Sequence, residues 1–100
     1  NISEPLPTKV ELSKNFPNPF NPSTSLFVSM DHKSESSLII YDLVGKEVRR
    51  LFDGTLDRGN TKMVWNGLNN QGFQVGGGIY ICQLLVNGAY VKSQKMTLLK

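Results

Sequence analysis

Residues 78–99 read GIYICQLLVNGAYVKSQKMTLL. Asn87-Gly88 stands between two β-rich runs. A type I′ turn needs positive φ at both central residues, so this dipeptide is a strong short-range hairpin signal. A long hairpin is expected, with strands over Gly78–Val86 and Ala89–Leu99.

Working back along the chain, the same period of two recurs. Leu26, Val28 and Met30 alternate with Ser25, Phe27 and Ser29. Further runs are Leu38–Asp42, bounded by Ser34–Ser37 and Gly45, then Glu47–Phe52, and Thr61–Trp65, where Met63 and Trp65 share a side. Val44-Gly45-Lys46, Asp53-Gly54, Arg58-Gly59-Asn60 and Asn66–Gly72 carry the residues that tolerate tight or left-handed backbone. Asn15–Thr24 holds Pro17, Pro19 and Pro22. Each fixes its own φ and removes a donor, so the segment is rigid and neither helical nor a central strand. Its phenylalanines, Phe16 and Phe20, are placed to plug an end of the core. No segment shows a helical stripe. The expected fold is all-β, an immunoglobulin-like antiparallel β-sandwich of about seven strands, with a small barrel as the alternative. Trp65 is expected in its core. Residues 1–13, polar and carrying Pro5 and Pro7, are expected to be a loosely packed linker from an upstream domain, and 14–100 the folded unit.

At 100 residues, with 39% hydrophobic and 19% charged, the chain suits one soluble globular domain. The longest apolar stretches, Leu38–Tyr41 and Leu84–Val86, fall far short of the roughly 18 residues of a membrane helix. The N-terminus lacks the basic and apolar regions of an export signal, which would belong to a longer parent. The net charge is +3, and acids and bases balance up to Gly88. The surplus is Lys92, Lys95 and Lys100, with no acid beside them. Nucleic-acid binding would call for a denser patch with more Arg and interleaved aromatics, so none is expected.

Little chemistry is encoded. Cys82, the only cysteine, lies within a strand and suits a small buried hydrophobe, with no disulfide and no cysteine zinc site. His32 is the sole histidine, beside Asp31, and no nucleophile elbow or Walker loop exists. Gly76-Gly77-Gly78 precedes a strand rather than a helix N-terminus, so it reads as a flexible bulge and not a phosphate cradle. The loop from Asn66 to Gly72 offers amide oxygens without carboxylates, a poor set for calcium. No enzyme activity, cofactor or metal is expected.

NFPNPFNPST (15–24), IYDLVGKEVRRL (40–51), VWNGLNNQGFQVGGGIYICQL (64–84) and KSQKMTLLK (92–100), in order, resemble the type A C-terminal sorting domains of the type IX secretion system. The pattern is also similar to the immunoglobulin-like domain of FlgD. The resemblance implies a non-catalytic domain of a larger secreted protein. Its partners would be the translocon, a sortase-like protease and the upstream cargo domain, and the location secreted or on the cell surface, by way of the periplasm. The family's Pro-x-Gly-x-Tyr motif falls on Gly76–Tyr80, with Gly76 in place of proline and Gly78 and Tyr80 retained. The glycine and spaced lysines fall on Gly88, Lys92 and Lys95, and the apolar-basic end on Met96, Leu98, Leu99 and Lys100. Asn66 stands where many members have Asp, which further weakens a metal reading. These residues are the implied recognition set, and a monomer is expected.

The rival reading is an accessory sandwich, a spacer or a carbohydrate-contacting module of a secreted enzyme. It requires an exposed aromatic platform drawn from Phe20, Phe27, Phe52, Phe73, Tyr41, Tyr80 and Tyr90.

Overall fold

The computed structural model describes residues 7–99. Seven strands follow in order: β1 Glu11–Leu12, β2 Thr24–Met30, β3 Ser34–Tyr41, β4 Glu47–Leu56, β5 Gly59–Trp65, β6 Gly78–Val86 and β7 Ala89–Leu98. They form a three-stranded sheet, β1-β2-β5, facing a four-stranded sheet, β4-β3-β6-β7. Every strand pairing is antiparallel. The expected immunoglobulin-like sandwich is therefore the fold, and no helix is present among the described residues.

Period-two patterning sets which side chains enter the core. Leu26, Val28 and Met30 of β2, with Met63 and Trp65 of β5, face Leu38 and Ile40 of β3, Cys82 and Leu84 of β6, and Met96 and Leu98 of β7. Trp65 is 1% exposed. It lies between the rings of Phe20, at 5.6 Å and 58°, and Tyr80, at 5.2 Å and 72°, the tilted and edge-on geometries that aromatic quadrupoles favour. Its indole N–H donates to the Leu68 carbonyl at 2.9 Å.

Three local expectations shift. Ser34–Ser37, read as a strand boundary, lies inside β3, with Ser34 and Ser36 buried. Their hydroxyls are satisfied locally, Ser34 Oγ by the His32 carbonyl and Ser36 Oγ by the Ser34 carbonyl, both at 3.3 Å, so polar residues fit an inward face. Asp53-Gly54, read as a turn, lies inside β4, where Asp53 pairs with Ser37 and Gly54 with Ser36. Finally, β1 reaches into the segment expected as linker: Leu12 pairs with Val28 and is 3% exposed, and Val10 packs on the core. Residues 1–6 lie outside the described residues.

Of the two phenylalanines in the proline segment, Phe20 plugs the core at 1% exposure, whereas Phe16 stands 81% exposed. The difference lies in which strand each meets. Phe16 bridges Ser25 on the outer face of β2, while Phe20 bridges Leu98 of β7.

Candidate functional site

The implied recognition residues gather on the β6–β7 hairpin. Asn87 and Gly88 have φ of 52° and 80°, as a two-residue type I′ turn requires, with Val86 and Ala89 closing the ladder. Gly88→Ala forces a Cβ into the left-handed region and is expected to lower stability by about 1–2 kcal/mol in a urea melt. Gly78 has φ of 146° with open space around it, so backbone conformation and not packing demands glycine there. Gly76, in place of the family proline, has no positive φ and no crowding, so nothing local requires glycine.

Burial splits the set. Tyr80 is 8%, Met96 0% and Leu98 5% exposed. Tyr80 is a structural pin: its hydroxyl donates to the Gly76 carbonyl at 2.6 Å, tying the 66–77 loop to β6. Burial, and then the negative charge of Asp42, push its pKa above the ordinary phenol value. Met96 and Leu98 belong to the core. Lys92, Lys95 and Leu99 are exposed, and Lys100 lies outside the described residues. Neither Lys92 nor Lys95 makes an ion pair among the described residues. On β7 they have opposite parity: Lys95 stands opposite Ile81, and Lys92 opposite Leu84, beside a bulge. What solvent meets is thus a cationic edge strand that also exposes Tyr90, Val91 and, just beyond it, Leu99.

That edge is strapped at its C-terminal half, an arrangement that sequence reading missed. Asn18 Nδ2 donates to the Lys95 carbonyl at 3.5 Å, and its Oδ1 accepts from Thr97 N at 3.0 Å. Phe20 N donates to the Thr97 carbonyl at 2.9 Å, and Leu99 N to the Phe20 carbonyl at 2.8 Å. Beneath the strap, buried Asn15 donates to Thr24 Oγ1 at 3.0 Å and accepts from Gln94 Nε2 at 3.4 Å. The available signal was the pair of Asn-Pro dipeptides, whose prolines leave the backbone extended and make the asparagine side chain the means of pairing.

The 66–77 loop locks the opposite edge. Asn70 N donates to the Val48 carbonyl at 2.9 Å, its Oδ1 accepts from Arg50 N at 2.8 Å, and its Nδ2 donates to Glu47 Oε2 at 3.0 Å. Asn69 Oδ1 accepts from Gln71 N and Phe73 N, both at 3.0 Å. The loop's amide oxygens thus hold its own turn and β4. A cleft of about 300 Å³ beside it is lined by Asp42, Glu47, Asn70, Val75 and Tyr80. Asp42 Oδ1 there accepts from Val44 N and Lys46 N. No cluster of three His, Cys, Asp or Glu suited to a metal occurs among the described residues. Cys82 is 0% exposed and burial pushes its thiol up to about 12, leaving it protonated at neutral pH.

Two sheets in the order β1-β2-β5 and β4-β3-β6-β7, filled by Trp65 and closed by the β6–β7 hairpin, define an immunoglobulin-like domain. The FlgD Ig-like domain family matches residues 18–95, and the chain belongs to that family. Among solved structures, dimeric latent PorU from Porphyromonas gingivalis superposes with a TM-score of 0.67 at 21% identity, over 90% of this chain and 9% of that one. PorZ, described as an essential bacterial surface component of the type-IX secretion system of Porphyromonas gingivalis, gives 0.55 at 19%, over 91% and 11%. Pseudomonas fluorescens alkylpurine DNA glycosylase AlkC, bound to DNA containing an abasic site analog, gives 0.57 at 16%, over 92% and 31%. These likenesses establish the fold. The chain spans about a tenth of the length of PorU and PorZ and about a third of the glycosylase. No curated protein matches it.

Proposed function

We propose that this domain is a non-catalytic export address of the type A C-terminal sorting kind. In this reading it directs a larger cargo protein through the type IX system to the cell surface. The observation that carries it is the cationic edge: Lys92 and Lys95 stand exposed on β7 without acidic partners among the described residues. Membership of the FlgD Ig-like family and the shared fold with PorU and PorZ support it. The translocon would read the lysines, Leu99 and the chain beyond. Tyr80, Met96, Leu98 and the two glycines would hold β7 in place, and a sortase-like protease would act after export.

Exposed lysines contribute within about half a kcal/mol to stability, so address and fold are separable here. Changing Lys92, Lys95 and Lys100 together to Gln is expected to leave the melting curve within about a degree or two and to trap the cargo in the periplasm of its own host. Normal surface display of the triple variant, with an unchanged melt, overturns the export reading.

The accessory-module reading has one observation in its favour. Phe16, at 81% exposure, and Phe27, at 46%, both lie on the outer face of the three-stranded sheet. Loss of glycan binding on Phe16→Ala with Phe27→Ala, alongside normal export of the lysine variant, would establish that alternative.

A further inference from the structure

β6 is apolar from Ile79 to Val86 except at Gln83. Near-continuous apolar runs belong to strands covered on both faces, whereas a sheet with one wet face alternates. The inner positions Tyr80, Cys82 and Leu84 lie in the core. Ile79, Ile81 and Leu85 lie on the outer face, Ile81 and Leu85 half-buried there, beside Ile39 of β3, which its neighbours cover to 4% exposure. Ile79 is 37% exposed. Tyr41 stands opposite Ile81, and with Leu43 and Gln83 they line an open hollow of about 310 Å³.

The charges around this strip are arranged as a pair of flanks. Register aligns one row straight across the sheet: Glu47, Tyr41, Ile81 and Lys95. The β3–β4 flank adds Glu35, which pairs with Thr55, and Asp53, which pairs with Ser37, against the single base Arg50. On the β7 flank the outward charge is Lys95. The face is therefore acidic on one side, apolar in the middle and basic on the other.

We infer that this face packs on the same face of a second copy of the chain, about a two-fold axis parallel to the strands and midway between β3 and β6. That rotation lays each β4 flank over the other copy's β7 flank. Lys95 of each copy then meets Glu47 of the other, and Ile81 meets Tyr41, satisfying the self-complementarity of a two-fold interface. An axis running across the strands would instead set Lys95 against Lys95. Glu47 gives one oxygen to Arg50 Nη2 at 2.9 Å and the other to Asn70 Nδ2 at 3.0 Å, and an ionised carboxylate retains lone pairs for a third donor. The association replaces the monomer expected from sequence. It holds whether or not the domain is an export address.

Sedimentation of the whole chain from about 1 µM to about 1 mM tests it. The mass is expected to rise to that of a dimer within this range. Lys95→Glu is expected to weaken dimerisation about tenfold, and adding Glu47→Lys to restore it. Ile81→Thr, which keeps a β-branched residue in the strand, is expected to weaken it by at least about tenfold. Thermal melts of each variant confirm that the fold is intact. A monomer throughout the range overturns the inference, as does a dimer that neither Lys95→Glu nor Ile81→Thr weakens, since another face must then hold it.

Discussion

Replacing Trp65 with alanine is expected to remove about 3–5 kcal/mol of stability. Native domains hold only about 5–15 kcal/mol in total, so much of the variant population should be unfolded at physiological temperature. The size follows from position. The indole is fully buried, fills the space between Phe20 and Tyr80, and satisfies the Leu68 carbonyl with its N–H. Truncation opens a cavity that two rings on different elements must collapse to fill, and it leaves a carbonyl unpaired. Far-UV circular dichroism against urea reads the loss without relying on the fluorescence of the residue removed. Trp65→Phe should be milder, keeping much of the volume but not the hydrogen bond. A Trp65→Ala midpoint close to that of the parent would mean that the indole does not organise this core.

Deletion of residues 96–100 should be more severe, abolishing any cooperative unfolding transition. Met96 and Leu98 are fully inside the sandwich, and truncating such a side chain typically costs about 2–5 kcal/mol each. The deletion also strips Phe20 of Thr97 and Leu99, its two backbone partners. Calorimetry should show a flat trace, and a sharp transition would contradict the placement of Met96 and Leu98. A failure of the deleted chain to reach the cell surface would therefore report lost folding, whereas the lysine-to-glutamine variant isolates recognition.

The fold was largely legible because its signals are local. Asn87-Gly88 defines the hairpin, and the alternation around Leu26, Val28 and Met30 shows which face is wet. Burial of Trp65, Cys82 and Phe20 follows from apolar character within rigid or two-periodic segments. The misreadings arose where tertiary context reverses local meaning. Ser34 and Ser36 resemble turn residues until the carbonyls two positions back are seen to satisfy them. Gly54 resembles a turn until β3 pairs beside it. Glu11 and Leu12 form a strand too short to show a period, and Leu12 is held by Val28 far along the chain. At the candidate site, the position of the lysines could be read from charge alone. The division between presented and buried residues could not, because it depends on parity along β7 and on the Asn18–Phe20 strap, two facts set by partners outside the segment.

The strap also governs when the domain can form. The hydrogen bonds of Asn18 to Lys95 and Thr97 span separations of 77 and 79 residues. Contacts of such range slow folding, because the loop must close before any of them is gained. A chain emerging from the ribosome exposes the Phe20 ring, and the part of the core that Met96 and Leu98 complete, until β7 has been made. Completion of the sandwich thus waits on synthesis of β7. A product that stops short of β7 cannot close this fold.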